Sequence, residues 1–192
     1  MTLSTLSLQS VAASKASSEL SEFVMCAAAT TSELVGFSWI GQSDAPSTYP
    51  NLLAAVEQSL VTGEPLPVSN ENTESVIYAY PAVNLALRYW HDVSHVMRGL
   101  DFTAPKELQL AQLQLRALER AGIEHGSLTW RLLQADLVGQ VYLSAVGGRF
   151  PVDQVTFVER ALTTGIEGAV LAELGGEVTA HRLALPPRSA AA

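Results

Sequence analysis

Apolar positions recur three and four apart over much of this chain, and glycine and proline cut the pattern into segments. Residues 16–30 alternate Ala, Leu, Val and Met with polar groups at roughly helical spacing, after a stretch over 1–14 that reads as frayed. Residues 32–40 form a short apolar segment whose type the pattern leaves open. From Gln42 to Pro50, proline and small polar residues predict a loop. A short helix follows over 51–61, closed by Gly63, Pro65 and Pro67, and 68–75 reads as a polar loop.

The second half is more sharply punctuated. Pro81 suits the first turn of a helix over 81–98, and Gly99 stops it. Thr103 is placed to cap a second helix that carries Pro105 in its first turn and reaches Arg120. Gly122 and Gly126 bracket a linker. Ser127 caps a third helix reaching Val146, ended by Gly147 and Gly148. Pro151 opens a fourth reaching Leu174, ended by Gly175 and Gly176. The tail is expected to hold a short strand and then fray over 185–192. No internal repeat is visible. The predicted fold is all-α: an antiparallel helical bundle in a single domain over 1–192, with a four-helix core over 80–174 and a metal-binding helical hairpin.

Composition narrows the picture. A chain of 192 residues, 48% apolar and only 16% charged, can bury a sizeable core. Its net charge of −8 argues against general nucleic-acid binding, because nothing offsets phosphate repulsion. An anionic bilayer is a poor electrostatic partner for the same reason, which leaves neutral, apolar ligands. No apolar run reaches the length of about 18 residues that a membrane span needs. Cys26 is the only cysteine, so neither an intrachain disulfide nor a thiolate zinc cluster is expected. It reads as a buried small apolar residue, and a reducing cytoplasm is the expected compartment. Lys15 is the only base among the first 32 residues, with Glu19 and Glu22 beside it, which fits neither a transit peptide nor a secretory signal.

The chemistry concentrates at His91, Asp92 and His95, with Glu107 after eleven further residues. Two histidines at i and i+4 share one helix face, with Cβ atoms roughly 5–6 Å apart. A short turn at Leu100 to Phe102 folds the next helix back, so Glu107 in its first turn meets the last turns of the helix before. Two imidazoles and a carboxylate then converge and leave a coordination position open, as in catalytic rather than structural sites. Zinc is the first expectation, with iron or manganese as alternatives in a two-His-one-carboxylate set. The competing reading is a hydrogen-bonded polar cluster in the bundle. Asp92, turned about 100° round the helix, neighbours His95 and Arg88; it is placed to orient an imidazole, act as a base, or pair with Arg88. Arg88 flanks the His91 face and suits an anionic ligand group, and Asn84 and Leu87 extend that face.

HDxxH, eleven residues and Glu resembles the zinc motif of the ubiquinone (coenzyme Q) biosynthesis family whose members organise the biosynthetic complex. The segment reads RYWHDVSHVMRGLDFTAPKE, and Arg88, Val96, Met97, Gly99 and Leu100 also look like that family. The resemblance covers residues 84–114. It implies His91, Asp92, His95 and Glu107 as metal-site residues, an α-helical fold, binding of a prenylated quinone precursor, and a role in removing and replacing a ring carboxylate.

Other candidates are weaker. An HD-type phosphohydrolase needs a histidine well upstream, and none precedes His91. A zincin protease uses HExxH, whose Glu is one methylene longer than Asp92. Asp136 and Gln140, one turn apart, read first as a solvent-facing polar stripe and second as groups reaching the ion or its surroundings from across the core. His125 lies in a Gly-flanked linker and is expected to be exposed; His181 lies in the tail. Glu119 and Glu124 look like solvated charges. Trp39, Trp90 and Trp130 are expected in the core or lining a pocket, with Trp90 helping to keep the site dry.

The sequence therefore predicts a metal-dependent enzyme acting on or binding an apolar aromatic or prenylated carboxylate, with His91, His95 and Glu107 as ligands and Asp92 as the catalytic group. The alternative is a non-catalytic binding or scaffold module, of phage or mobile-element type, in which the cluster only locks the hairpin. A divalent ion is the expected cofactor, an apolar or aromatic small molecule the expected partner, and self-association into a homo-oligomer is compatible with both.

Overall fold

The computed structural model describes residues 3–73 and 76–184, with side chains from Ala12 to Gly175. In chain order it contains α1 (Leu3–Val35), β1 (Trp39–Gln42), α2 (Tyr49–Thr62), β2 (Leu66–Ser69), α3 (Pro81–Arg98), α4 (Ala104–Arg120), α5 (Leu128–Gly147) and α6 (Gln154–Ala184). Helices dominate, so the all-α bundle holds.

Its centre is α5. Thr129, Trp130, Leu132, Leu133, Ala135 to Gly139 and Leu143 are all buried, which covers most of the helix circumference. A helix covered on so many sides must be surrounded, and α5 packs against α1, α4 and α6. The helix α1 presents Ala16, Leu20, Val24 and Ala28, spaced four apart, as a buried stripe toward α3 and α5. It therefore adds a fifth helix to the core expected from residues 80–174. Its serines tie it to the chain before α3: the Ser17 hydroxyl donates to the Ile77 carbonyl (2.8 Å), and Ala79 N–H donates to Ser21 Oγ (2.9 Å).

Local signals set the helix ends. Thr48 accepts from Asn51 N–H at the start of α2, and Ser127 accepts from Trp130 N–H at the start of α5. Thr103 occupies the cap position of α4 but makes no cap bond; its hydroxyl donates instead to Asp101 Oδ1 (2.6 Å). Asp153 replaces the expected proline signal at α6, accepting from Thr156 N–H.

Several expectations change. Residues 3–14, read as frayed, belong to α1. Two short parallel strands, β1 and β2, joined through α2, pair Trp39 with Leu66 and Gly41 with Val68. Leu66 and Val68 are the buried face of β2, so part of the expected loop over 68–75 is strand, and Glu74 and Ser75 lie outside the described residues. The helix α6 runs through Gly175 and Gly176 to Ala184, where a short strand was expected, and breaks instead at Gly165 (φ 82°, ψ 164°). The Arg131 guanidinium donates to the Leu162 carbonyl next to that break (2.5 Å). The expected fraying over 185–192 lies outside the described residues.

One close approach fixes the α5–α6 packing. A Cβ built on Gly139 would lie 2.7 Å from Cε1 of the fully buried Phe157 ring. Gly139→Ala should therefore cost about 1–3 kcal/mol despite its better helix propensity. Thermal unfolding checks this, and the loss should shrink in a Phe157→Leu background because the two positions share one space.

Candidate metal centre

The last turns of α3 build one wall of the site. Gly99 takes the left-handed conformation (φ 62°) that ends the helix, which lets Leu100 N–H donate to the His95 carbonyl (2.9 Å). The same turn brings the Leu100 carbonyl back to the His95 ring, 2.8 Å from Nδ1. A carbonyl only accepts, so His95 Nδ1 carries the proton. When the ring is neutral its Nε2 is then a lone pair.

That lone pair faces two further ligand-type atoms. His95 Nε2 lies 2.9 Å from His91 Nε2 and 3.3 Å from Glu107 Oε2, and His91 Nε2 lies 3.2 Å from the same oxygen. A tetrahedral ion with bonds of about 2.0–2.1 Å holds its ligand atoms roughly 3.3 Å apart. The triangle is thus the size that one small ion requires, and the three residues form a group able to hold a metal. Glu107 sits in the first turn of α4, where the helix dipole favours a carboxylate. His95 is fully buried, while the His91 and Glu107 side chains keep 21% and 24% of their surface, so the open side lies toward these two.

The electrostatics fit three crowded ligand atoms. Burial pushes Glu107 up, but the hydrogen bonds and charges of both histidines outweigh it and bring the carboxyl down to about 2. Burial depresses His91, and the Glu107 contact more than reverses it, leaving the ring above its ordinary value.

Supporting contacts come from neighbouring aromatics and one amide. The Phe102 ring packs edge-on against His95 (5.0 Å) and Tyr49 against Phe102 (5.8 Å), so α2 covers the turn. His91 Nδ1 lies 2.9 Å from Gln114 Oε1. Gln114 was missed in the sequence although the signal was present: seven residues past Glu107, it stands two turns along the same face of α4.

Asp92 does not orient either imidazole, since Leu100 and Gln114 occupy both Nδ1 positions. Nor does it pair closely with Arg88, whose guanidinium donates to the carbonyls of Ser69 (2.5 Å) and Glu71 (2.8 Å) and so pins the end of β2 to α3. Among the described residues, no donor bonds the Asp92 carboxylate. Desolvation pushes it up to about 6, against the pull of His91, His95 and Arg88. Between about pH 4, its unfolded value, and about 6 only the folded state holds this proton. The charge therefore costs stability as pH rises through that window, and the full cost is present above it. Asp92→Asn should stabilise chelator-treated protein by about 1–2 kcal/mol at pH 8 and by almost nothing at pH 4, allowing for the solvent that reaches the group. Melting temperatures at the two pH values check it.

The remaining candidates fall elsewhere. Asp136 is neither solvent-facing nor a member of the triad. It is fully buried and accepts hydrogen bonds from Tyr78 Oη (2.5 Å), Gln140 Nε2 (2.5 Å) and Gln154 Nε2. Burial raises its carboxyl in spite of these donors, and burial together with the Asp136 charge holds the Tyr78 hydroxyl well above its usual value. Asn84 and Leu87 are buried on α3. Trp90 packs on Phe23 of α1 and Trp39 stacks on Tyr89, so both belong to the core. His125 is exposed as expected, but Glu119 is not merely solvated: it accepts from Trp130 Nε1 (3.0 Å) and sits 2.8 Å from His125 Nδ1. Cys26, expected buried, is exposed on α1. The His181 side chain lies outside the described residues.

Clefts among the described residues include one of about 470 Å³ among α4, α5 and α6 and one of about 620 Å³ between Ser43–Ser47 and the end of β2. Neither is lined by a triad residue. No helix among the described residues is long and apolar enough to cross a membrane. Compared with protein-family models, with curated proteins and with solved structures, the chain finds no match.

Proposed function

We propose that this chain is a metal-dependent enzyme whose ion is held by His91, His95 and Glu107, with zinc the first choice and iron or manganese the alternatives. The observation that carries the proposal is the triangle of three ligand atoms, one of them a lone pair fixed by the Leu100 carbonyl. When bound, the ion supplies Lewis acidity to an oxygen at the open position. Asp92 is the group that takes or returns a proton there: it is one residue from a ligand, half-buried, and bonded by no donor among the described residues. Unpaired charges of this kind cost stability and are retained at working sites. The likeness of residues 84–114 to the ubiquinone-biosynthesis pattern supports an apolar aromatic, prenylated carboxylate as substrate.

The test is loss of the ring carboxylate from a prenylated aromatic carboxylate, followed by mass spectrometry with metal-loaded wild type and Glu107→Gln. Conversion by the wild type alone supports the proposal; no conversion, or equal conversion, sinks its catalytic part.

A second reading has its own observation. The cluster ties α3 to α4 through the His91–Gln114 and His91–Glu107 contacts, which favours a module in which the ion locks the α3–α4 hairpin and the surface binds a partner. Chelation would then lower the melting temperature with no turnover to lose.

A further inference from the structure

Gln114 is 2% exposed, and its two amide atoms are treated unequally. Oε1 lies 2.9 Å from His91 Nδ1, whereas Nε2 is a buried donor that meets no acceptor among the described residues. Leaving such a donor bare is unfavourable, and a leucine of similar volume would avoid it. What the amide offers in return is an acceptor behind the His91 ring. An oxygen there requires a proton on Nδ1, so that in the neutral ring Nε2 is a lone pair directed at Glu107 and His95.

We propose that Gln114 is the positioning residue of the centre: its side-chain oxygen holds His91 as the Nδ1–H tautomer and so makes the ring a ligand rather than a donor to Glu107. This rests on the metal reading of the triad. The two histidines are then set by different devices. His95 is fixed by backbone, through the Gly99 turn and the Leu100 carbonyl. His91 is fixed by a single side chain from the opposite helix. The hairpin must therefore close before the second imidazole is oriented, which couples α3–α4 packing to metal affinity. Partners behind a ligating histidine commonly govern affinity by about 10–100-fold.

The test uses Gln114→Leu and Gln114→Glu beside wild type, with Zn²⁺ affinity measured against a competing chelator and melting temperature measured after chelation. Gln114→Leu is expected to bind Zn²⁺ about 10–100-fold more weakly while melting no lower than wild type, because the bare donor is gone. Gln114→Glu is expected to bind at least as tightly as wild type while melting lower without metal, because it buries a charge. A merely structural glutamine would move affinity and stability in the same direction, and that result, or wild-type affinity in Gln114→Leu, overturns the proposal. Nitrogen NMR of the ring in metal-free protein at alkaline pH gives a readout independent of the ion. Wild type should show Nδ1–H, and Gln114→Leu should shift toward Nε2–H. A wild type that takes up no Zn²⁺ would remove the metal reading; an unchanged tautomer in Gln114→Leu would remove the role of Gln114.

Discussion

Asp136→Ala is expected to destabilise the fold by about 3–5 kcal/mol, the largest loss from any single polar residue in the core. The carboxylate takes three donors at once, from the chain before α3, from its own helix and from the start of α6. Removing it strands the buried Tyr78 hydroxyl outright, while the two half-buried glutamines recover part of their loss from water. The scale is set by Tyr78, whose hydroxyl burial and the neighbouring charge keep protonated and dependent on that acceptor. A chain of this size typically loses about 2–4 °C per kcal/mol, so a fall of roughly 10 °C should be read in a thermal melt. Asp136→Asn keeps one oxygen and should lose less than half as much. An Ala variant that melts within two or three degrees of wild type would show that the hub carries little of the fold.

His95→Ala should all but abolish metal binding and also weaken the fold. Structural zinc sites draw about 10–16 kcal/mol from four ligands, so one ligand represents roughly 3 kcal/mol, a hundredfold or more in affinity. The ring is also fully buried against Phe102 and bonded to Leu100, so its loss leaves a cavity and an unsatisfied carbonyl. That second effect is about 2–4 kcal/mol and should persist when both proteins are chelated. Comparing the two proteins with and without Zn²⁺ separates the effects. The difference between His95→Ala and wild type must widen when the ion is added.

Residues that act over one or two helical turns were the legible ones. Pro81 and Gly99 bound α3, Ser127 caps α5, and the i, i+4 histidines with Glu107 after a short turn converge as their spacing requires. What depends on partners far along the chain was not legible. Asp136 looked like half of a polar stripe because its hydroxyl partner, Tyr78, lies 58 residues earlier. β1 and β2 are four residues each, beside a run of prolines that reads as loop, and only pairing across α2 makes them strands. At α6 the glycines misled in both directions. The penalty of about 1 kcal/mol for each helical glycine did not stop the helix at Gly175 and Gly176, and Gly165, unremarkable in sequence, is where it breaks. Of the roles expected for Asp92, orienting an imidazole falls to Leu100 and Gln114, and the Arg88 guanidinium goes to the Ser69 and Glu71 carbonyls, partners that spacing along α3 alone does not reveal.

The most direct measurement is the metal content of tag-free protein by mass spectrometry, for wild type beside His91→Ala and Glu107→Gln, each dialysed against trace Zn²⁺. A centre built as described binds about one ion per wild-type chain and loses it in both variants, because three ligands are the fewest that make a stable site. Wild-type protein that holds no metal, or variants that hold as much as wild type, would contradict it and leave His91, His95 and Glu107 as a hydrogen-bonded cluster that closes the hairpin.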